Sequence, residues 1–303
     1  MLNGLLLRTA FYLALAFFSV NILAKDTLVI GTVSINPKKH FHTLKPMANY
    51  VVSKMKDLGI KKSKVIMARD NKHMIQLLKS GEVDWVTETP FSAIAFEQQA
   101  AAELLLLKRK KGVLFYHTVF FTRKDSGINA LEQLIGKSLA FEDSGSTSAY
   151  YAPASELISR QLPLFYMKQP REDPPADKIG YSFSGSEINT ASWVHIGIAD
   201  VGAFSNLDWE KEESMPLKLR NNFKIIYRTK PFPRAIELVR KELPVSIKRR
   251  LKHILLNAHL DKKGKKPLYI YQKTSQFDVI NADTNATLDH IRETFELVNQ
   301  HLK

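Results

Sequence analysis

The sequence predicts an α/β protein of two lobes, each with a mixed, mainly parallel sheet, joined by a two-strand hinge. Three observations predict it. Strand-like apolar runs alternate with segments of helical spacing. A unit of glycine, two residues, aspartate and a short strand occurs twice, at Gly81 and Gly197. Two β-rich runs, 113–122 and 225–228, are placed to carry the chain out of one lobe and back.

Taken in order, residues 1–24 hold one charge, Arg8, an apolar stretch over 10–18, and Ala24 ahead of the charged Lys25-Asp26. This is the layout of a cleaved secretory signal peptide. An uncleaved anchor is the alternative, since 5–23 nearly spans a bilayer, but Thr9, Tyr12, Ser19 and Asn21 dilute the run. Cleavage leaves about 280 residues, enough for a core in each of two lobes. Residues 27–33 read as a buried strand running into the polar loop Ser34-Ile35-Asn36-Pro37. A helix is predicted over 43–58 from the spacing of Leu44, Met47, Val51 and Met55, with Gly59 as its stop. Strands at 64–68 and 83–87 flank a helix over 74–79 closed by Gly81.

The repeat pairs Gly81-Glu82-Val83-Asp84-Trp85-Val86 with Gly197-Ile198-Ala199-Asp200-Val201-Gly202. Each glycine suits a left-handed helix cap, and each strand runs into a polar loop, one holding Thr89-Pro90 and the other Ser205-Asn206. The run 113–122 is long for one strand and fits a crossing between lobes. Lobe one is therefore expected over 25–115 and 226–303 and lobe two over 118–223, with hinge crossings near 115–118 and 223–228. The prolines at 170, 174 and 175 mark a loop within lobe two.

Composition removes several classes of function. Cysteine is absent, which excludes disulfides, thiolate metal sites and a cysteine nucleophile. The net charge of +14 raises nucleic acid as a partner. The basic residues lie in short scattered clusters without aromatic interleaving or a zinc pattern, so no nucleic acid is expected, only long-range attraction for anions. No Gly-x-Ser-x-Gly elbow, Walker loop or His-Glu-x-x-His motif occurs. His40 and His42 lack a third ligand and read as a surface loop, and His117 reads as packed or solvated near the hinge. No cofactor or metal is expected.

One segment carries chemistry. Residues 138–141 read as a strand, 142–149 as the turn Glu-Asp-Ser-Gly-Ser-Thr-Ser-Ala, and 150–160 as a helix. The first N–H groups of a helix lack internal partners and sit at its positive end, so such a junction binds anions. One capping hydroxyl would satisfy the helix. Ser146, Thr147 and Ser148 exceed that need and can surround the oxygens of a tetrahedral or carboxylate group.

The stretch from Asp125-Ser126-Gly127-Ile128 through Gly136-Lys137-Ser138-Leu139-Ala140-Phe141 to Gly145-Ser146-Thr147-Ser148 resembles the phosphate/phosphonate-type periplasmic solute-binding proteins of ABC importers. Gly81-Glu82-Val83-Asp84, Pro90 and the late Gly264-Lys265 fit the same family. The resemblance implies a type II periplasmic binding fold, an exported periplasmic monomer, an ABC permease as partner, a small anionic ligand, and no catalysis. It implies that Ser146, Thr147 and Ser148 hold phosphonate-like oxygens and that Tyr116 is the hinge-region tyrosine. Ser34, Thr89, Ser186, Glu187 and Ser205 complete the candidate set. Three positions depart from the family: Ala93 stands for a ligand-facing tyrosine, Ser186 for a histidine after Gly185, and Ala149 for a glycine. Two other functions stay open at this stage, a ligand sensor for a membrane receptor or histidine kinase, and an enzyme of small phosphorylated substrates.

Overall fold

The computed structural model describes residues 26–34 and 37–301. The expected signal peptide lies outside them. Among the described residues, fourteen strands form two six-stranded sheets and one two-stranded ribbon.

The first sheet is ordered β14-β4-β13-β3-β1-β2. Its parallel half is β1 (Thr27–Val33), β2 (Lys62–Ala68) and β3 (Trp85–Glu88). Its antiparallel half is β4 (Glu103–Lys110), β13 (Ile236–Val239) and β14 (Thr274–Asp278). The second sheet is ordered β11-β6-β10-β7-β9-β8. Here β7 (Ser138–Phe141), β8 (Leu164–Tyr166), β9 (Ile179–Phe183) and β10 (Val201–Ser205) run parallel. β6 (Thr118–Arg123) and β11 (Phe223–Arg228) are antiparallel to their neighbours. Read outward from β2 and from β9, the two sheets share one order: β2-β1-β3-β13-β4 matches β9-β7-β10-β6-β11.

That match corrects one expectation. The return crossing was placed at 223–228, but β11 pairs along its length with β6 inside the second sheet, and Phe223 is buried there. β11 is the counterpart of β4, the last strand of a lobe before the chain leaves it. The return falls at β12 (Phe232–Pro233), antiparallel to β5 (Phe115–Tyr116) on the outgoing crossing. The reason is side-chain packing. An apolar run ahead of Thr229-Lys230-Pro231 looks like a crossing, yet its aromatic residues are needed in the lobe-two core. The predicted long strand 113–122 is likewise two strands, β5 and β6, broken at His117.

The repeat is structural. Gly81 and Gly197 both adopt φ of +73°, the left-handed region open to glycine. The Asp84 carboxylate accepts the Val29 N–H at 2.9 Å, and the Asp200 carboxylate accepts the Ser138 N–H at 2.8 Å. Each aspartate thus ties its strand to the parallel neighbour: Asp84 N–H donates to Val29 and Asp200 N–H to Ser138, at 2.9 and 3.0 Å.

The remaining helices cover the sheets. The first runs over Pro37–Ser53, six residues earlier than the spacing predicts, so His40 and His42 lie on a helix and not in a loop. Leu44, Met47, Val51 and Met55 are all buried, and Gly59 ends the following short turn in a left-handed conformation. A helix of Ala282–His301 closes the chain, with Leu288, Ile291 and Phe295 in the same apolar cluster as Phe91, Tyr116 and Phe232. Under the first sheet, Lys108 and Glu237 are both completely buried and face each other at 3.4 Å. Glu237 accepts from Trp85 Nε1 and from the Tyr271 hydroxyl, while Lys108 donates to Thr87 and to Gln272. The pair is fully hydrogen-bonded, which is what allows a buried charge to persist.

Candidate functional site

In open α/β sheets ligands collect at the carboxyl ends of parallel strands. Ser34 follows β1, Thr89 follows β3, Ser146, Thr147 and Ser148 follow β7, Ser186 and Glu187 follow β9, and Ser205 ends β10. Tyr116 lies in the hinge strand β5. The candidate residues of both lobes therefore occupy equivalent strand ends.

The loop after β7 is tightly specified. Asp143 accepts the Gly145 N–H at 2.8 Å, and its carbonyl accepts the Ser146 N–H at 3.0 Å. Ser146 then caps the helical run that begins with a wide π turn, Thr147–Tyr151, and continues as Ala152–Ser159. Its hydroxyl accepts the Ala149 N–H at 3.2 Å. Thr118, from the first strand of lobe two, donates its hydroxyl to the Ser148 carbonyl at 2.7 Å and pins the loop to the hinge side of the sheet. Thr147 differs from both neighbours. It is 3% exposed, and its hydroxyl oxygen is buried without a hydrogen-bond partner. Leaving such a group unsatisfied costs about 1–3 kcal/mol.

Charges of both signs meet around this loop. On the lobe-two side, burial, reinforced by the charge of Glu187, lifts the Glu142 carboxyl to about 7, against the lowering effect of a hydrogen bond from Ser146. Asp208 and Asp143 add to that negative surround. On the lobe-one side, Glu88 bridges two strand ends: it accepts from the Thr32 hydroxyl at 2.9 Å, from the Val33 N–H at 2.8 Å and from the Thr89 N–H at 3.2 Å. Burial pushes its carboxyl up. Lys110 lies near Glu88 and Arg234. The Arg234 guanidinium sits 4.5 Å from the centre of the Tyr116 ring. Charged groups thus extend from Glu88, at the ends of β1 and β3, to Lys110 and to Arg234, which lies against Tyr116 on the hinge strand. Phe91, just inside the helix Pro90–Ala100, stacks on Tyr151 at 5.3 Å and joins the lobes on an apolar contact.

Three of the expected hydroxyls have local duties. Ser205 is buried and exchanges hydrogen bonds with Asp208, capping the short helix Asn206–Trp209. Ser186 accepts the Asn189 N–H and caps the helix Glu187–His195. Ser146 caps as described. Thr89 stands at a cap position, yet its hydroxyl makes no cap bond. Sequence reasoning passed over Glu142, Glu88, Lys110 and Arg234. Glu142 lay in view beside the serine loop, and its only signal was a carboxylate placed against an anion site. Lys110 sat inside an apparent surface cluster of lysines, and Arg234 gave no local signal. A separate crevice of about 320 Å³ lies between the lobes, lined by Phe91, Ala152, Thr229, Phe232, His290 and Ile291 among others, and holds none of the candidate residues.

Two mixed sheets of matched order, a paired-strand hinge, and opposed polar strand ends define a two-lobed solute-binding protein of the type II periplasmic class. The comparisons agree. The family model described as "ABC transporter, phosphonate, periplasmic substrate-binding protein" matches residues 30–284. XAC2383 from Xanthomonas citri, in structures described as bound to chloride ion and to ATP, is 36% and 35% identical. Those alignments cover 91% and 92% of this chain and 100% of XAC2383, each with a TM-score of 0.87. PhnD1 from Prochlorococcus marinus, in complex with methylphosphonate, shares the fold at 17% identity and a TM-score of 0.64, over 91% of this chain and 99% of its own. The chain belongs to the phosphonate-type periplasmic substrate-binding family. It is an extracytoplasmic solute-binding protein of the ABC-importer kind, which captures a small phosphonate- or phosphate-like oxyanion between two lobes.

Proposed function

We propose that this protein holds the phosphoryl or phosphonyl group of its solute on the loop Ser146-Thr147-Ser148 and presents the closed form to an ABC permease, with no chemical turnover of its own. The observation that carries this reading is the Thr147 hydroxyl, buried and without a partner at the start of a helix. An oxyanion there would accept from that hydroxyl and from the helix's first N–H groups together. Tyr116 and Ser148 form the hinge-side wall, and Glu187 lies at the far rim with Glu142. Cleavage after Ala24 would release the mature protein to the periplasm as a monomer. The relative XAC2383, described with chloride in one structure and ATP in another, supports an anion site and places nucleotides among the first solutes to try.

A thermal-shift screen of phosphate, phosphite, phosphonates, sulfonates, carboxylates and ATP tests the reading, because a solute that binds only the native state raises its apparent stability. A phosphorus oxyanion is expected to give the largest shift, and Ser146→Ala combined with Thr147→Ala to abolish it. An unchanged shift in the double variant would sink the assignment.

A further inference from the structure

Carboxylates pair with several cations of the first sheet. Lys108 is matched by Glu237, Arg109 by Asp278 at 2.8 Å, and Arg240 by Asp84 at 2.8 Å. Lys110 and Arg234 are exceptions: among the described residues neither forms an ion pair with a carboxylate. Both are half-buried and both belong to the lobe-one end of the hinge. Lys110 ends β4, and Arg234 follows β12, with its guanidinium over Tyr116.

We propose that Lys110 and Arg234 are the lobe-one half of the anion site, a two-cation clamp whose counter-charge is the solute, so that the protein selects phosphoryl compounds of two or more negative charges over monoanions. This rests on the reading of the Ser146–Ser148 loop as the oxyanion cradle. The geometry supplies the path: the Arg234 guanidinium lies 4.5 Å from the centre of the Tyr116 ring, and Thr118, two residues along the chain from Tyr116, donates its hydroxyl to the Ser148 carbonyl at 2.7 Å. The charged groups around Lys110 are Arg234, Lys108 and Lys111, all cationic, and Glu88. Glu88 is turned to other partners, accepting from Thr32, Val33 and Thr89, and makes no ion pair with Lys110. Burial, then the charges of Arg234 and Lys108, pull the Lys110 ammonium down to about 7. The free protein therefore holds this charge only in part at neutral pH, and an arriving polyanion completes it by proton uptake. Monoanionic sulfonates and carboxylates gain less from a doubly charged wall in a partly desolvated cleft.

Isothermal titration of the mature chain with inorganic pyrophosphate and with methanesulfonate tests the clamp. The wild type is expected to prefer pyrophosphate by at least about 30-fold, and Lys110→Gln and Arg234→Gln each to reduce that ratio by about tenfold or more. Lys110→Arg keeps the charge and should keep the ratio, which separates charge from packing. Thr147→Val should weaken both probes alike. A wild type that binds both probes equally, or neither, overturns the proposal, as does an unchanged ratio in both glutamine variants. If Thr147→Val alters neither affinity while the glutamine variants alter the ratio, the loop reading fails and the clamp stands.

Discussion

Replacing Thr147 with valine separates two meanings of a buried hydroxyl. Valine keeps the branched shape and removes the oxygen, so packing against the loop is conserved. Thr147 is 3% exposed and its buried hydroxyl makes no hydrogen bond, so the folded protein without solute carries its full desolvation cost. Removing it should stabilise the solute-free protein by about 1–3 kcal/mol. The same change deletes a donor to a charged oxyanion, worth about 1.5–3 kcal/mol, or roughly 10- to 150-fold in affinity. Urea unfolding without solute gives the first quantity, and titration with whichever phosphorus oxyanion the screen selects gives the second. Opposite signs for stability and affinity are the signature of a group kept for its ligand. Ser146→Ala is the control: its hydroxyl caps the helix, so its loss should destabilise by about 1 kcal/mol. A Thr147→Val protein that loses stability, or binds as tightly as the wild type, would refute the reasoning.

The other expectations concern charge. The Glu142 carboxyl stands at about 7 in the fold, above its ordinary value of 4.5, so the native state binds this proton more tightly than the unfolded chain. Its contribution is intact below about 4.5 and is lost as pH rises toward about 7, and Glu142→Gln should flatten that slope in urea melts at about pH 5 and about pH 8. Lys108→Met leaves Glu237 completely buried without its cation. Such a half-pair costs about 3–5 kcal/mol, read as a lower urea midpoint at unchanged slope. A loss under 1 kcal/mol would show that Trp85 and Tyr271 alone hold the carboxylate.

What the sequence disclosed divides along one physical line. Local rules were legible: glycine at +73° before each paired strand, aspartate three residues on, and a serine-threonine run at a helix start are all written within a few neighbouring positions. The aspartates' purpose, capping a parallel strand some 55 or 62 residues away, required the fold. So did the return crossing, because residues 223–228 satisfy the pattern of a linker and of a core strand equally, and only pairing with β6 decides. Arg234 and Lys110 are separated by more than a hundred residues and meet through the antiparallel half of the first sheet. Each lobe then holds an incomplete site. The second supplies hydroxyls and a helix start but is rimmed by Glu142, Glu187 and Asp208; the first supplies cations, and its buried hydroxyls, such as Thr32, are engaged within the lobe. A solute that touches only the loop has no differential affinity for the closed form and cannot drive closure, whereas one that spans loop and cations gains only when the lobes meet. On the proposed clamp, charge selectivity and hinge closure are therefore one free-energy difference, and a solute too small in charge would be bound without being signalled to the permease.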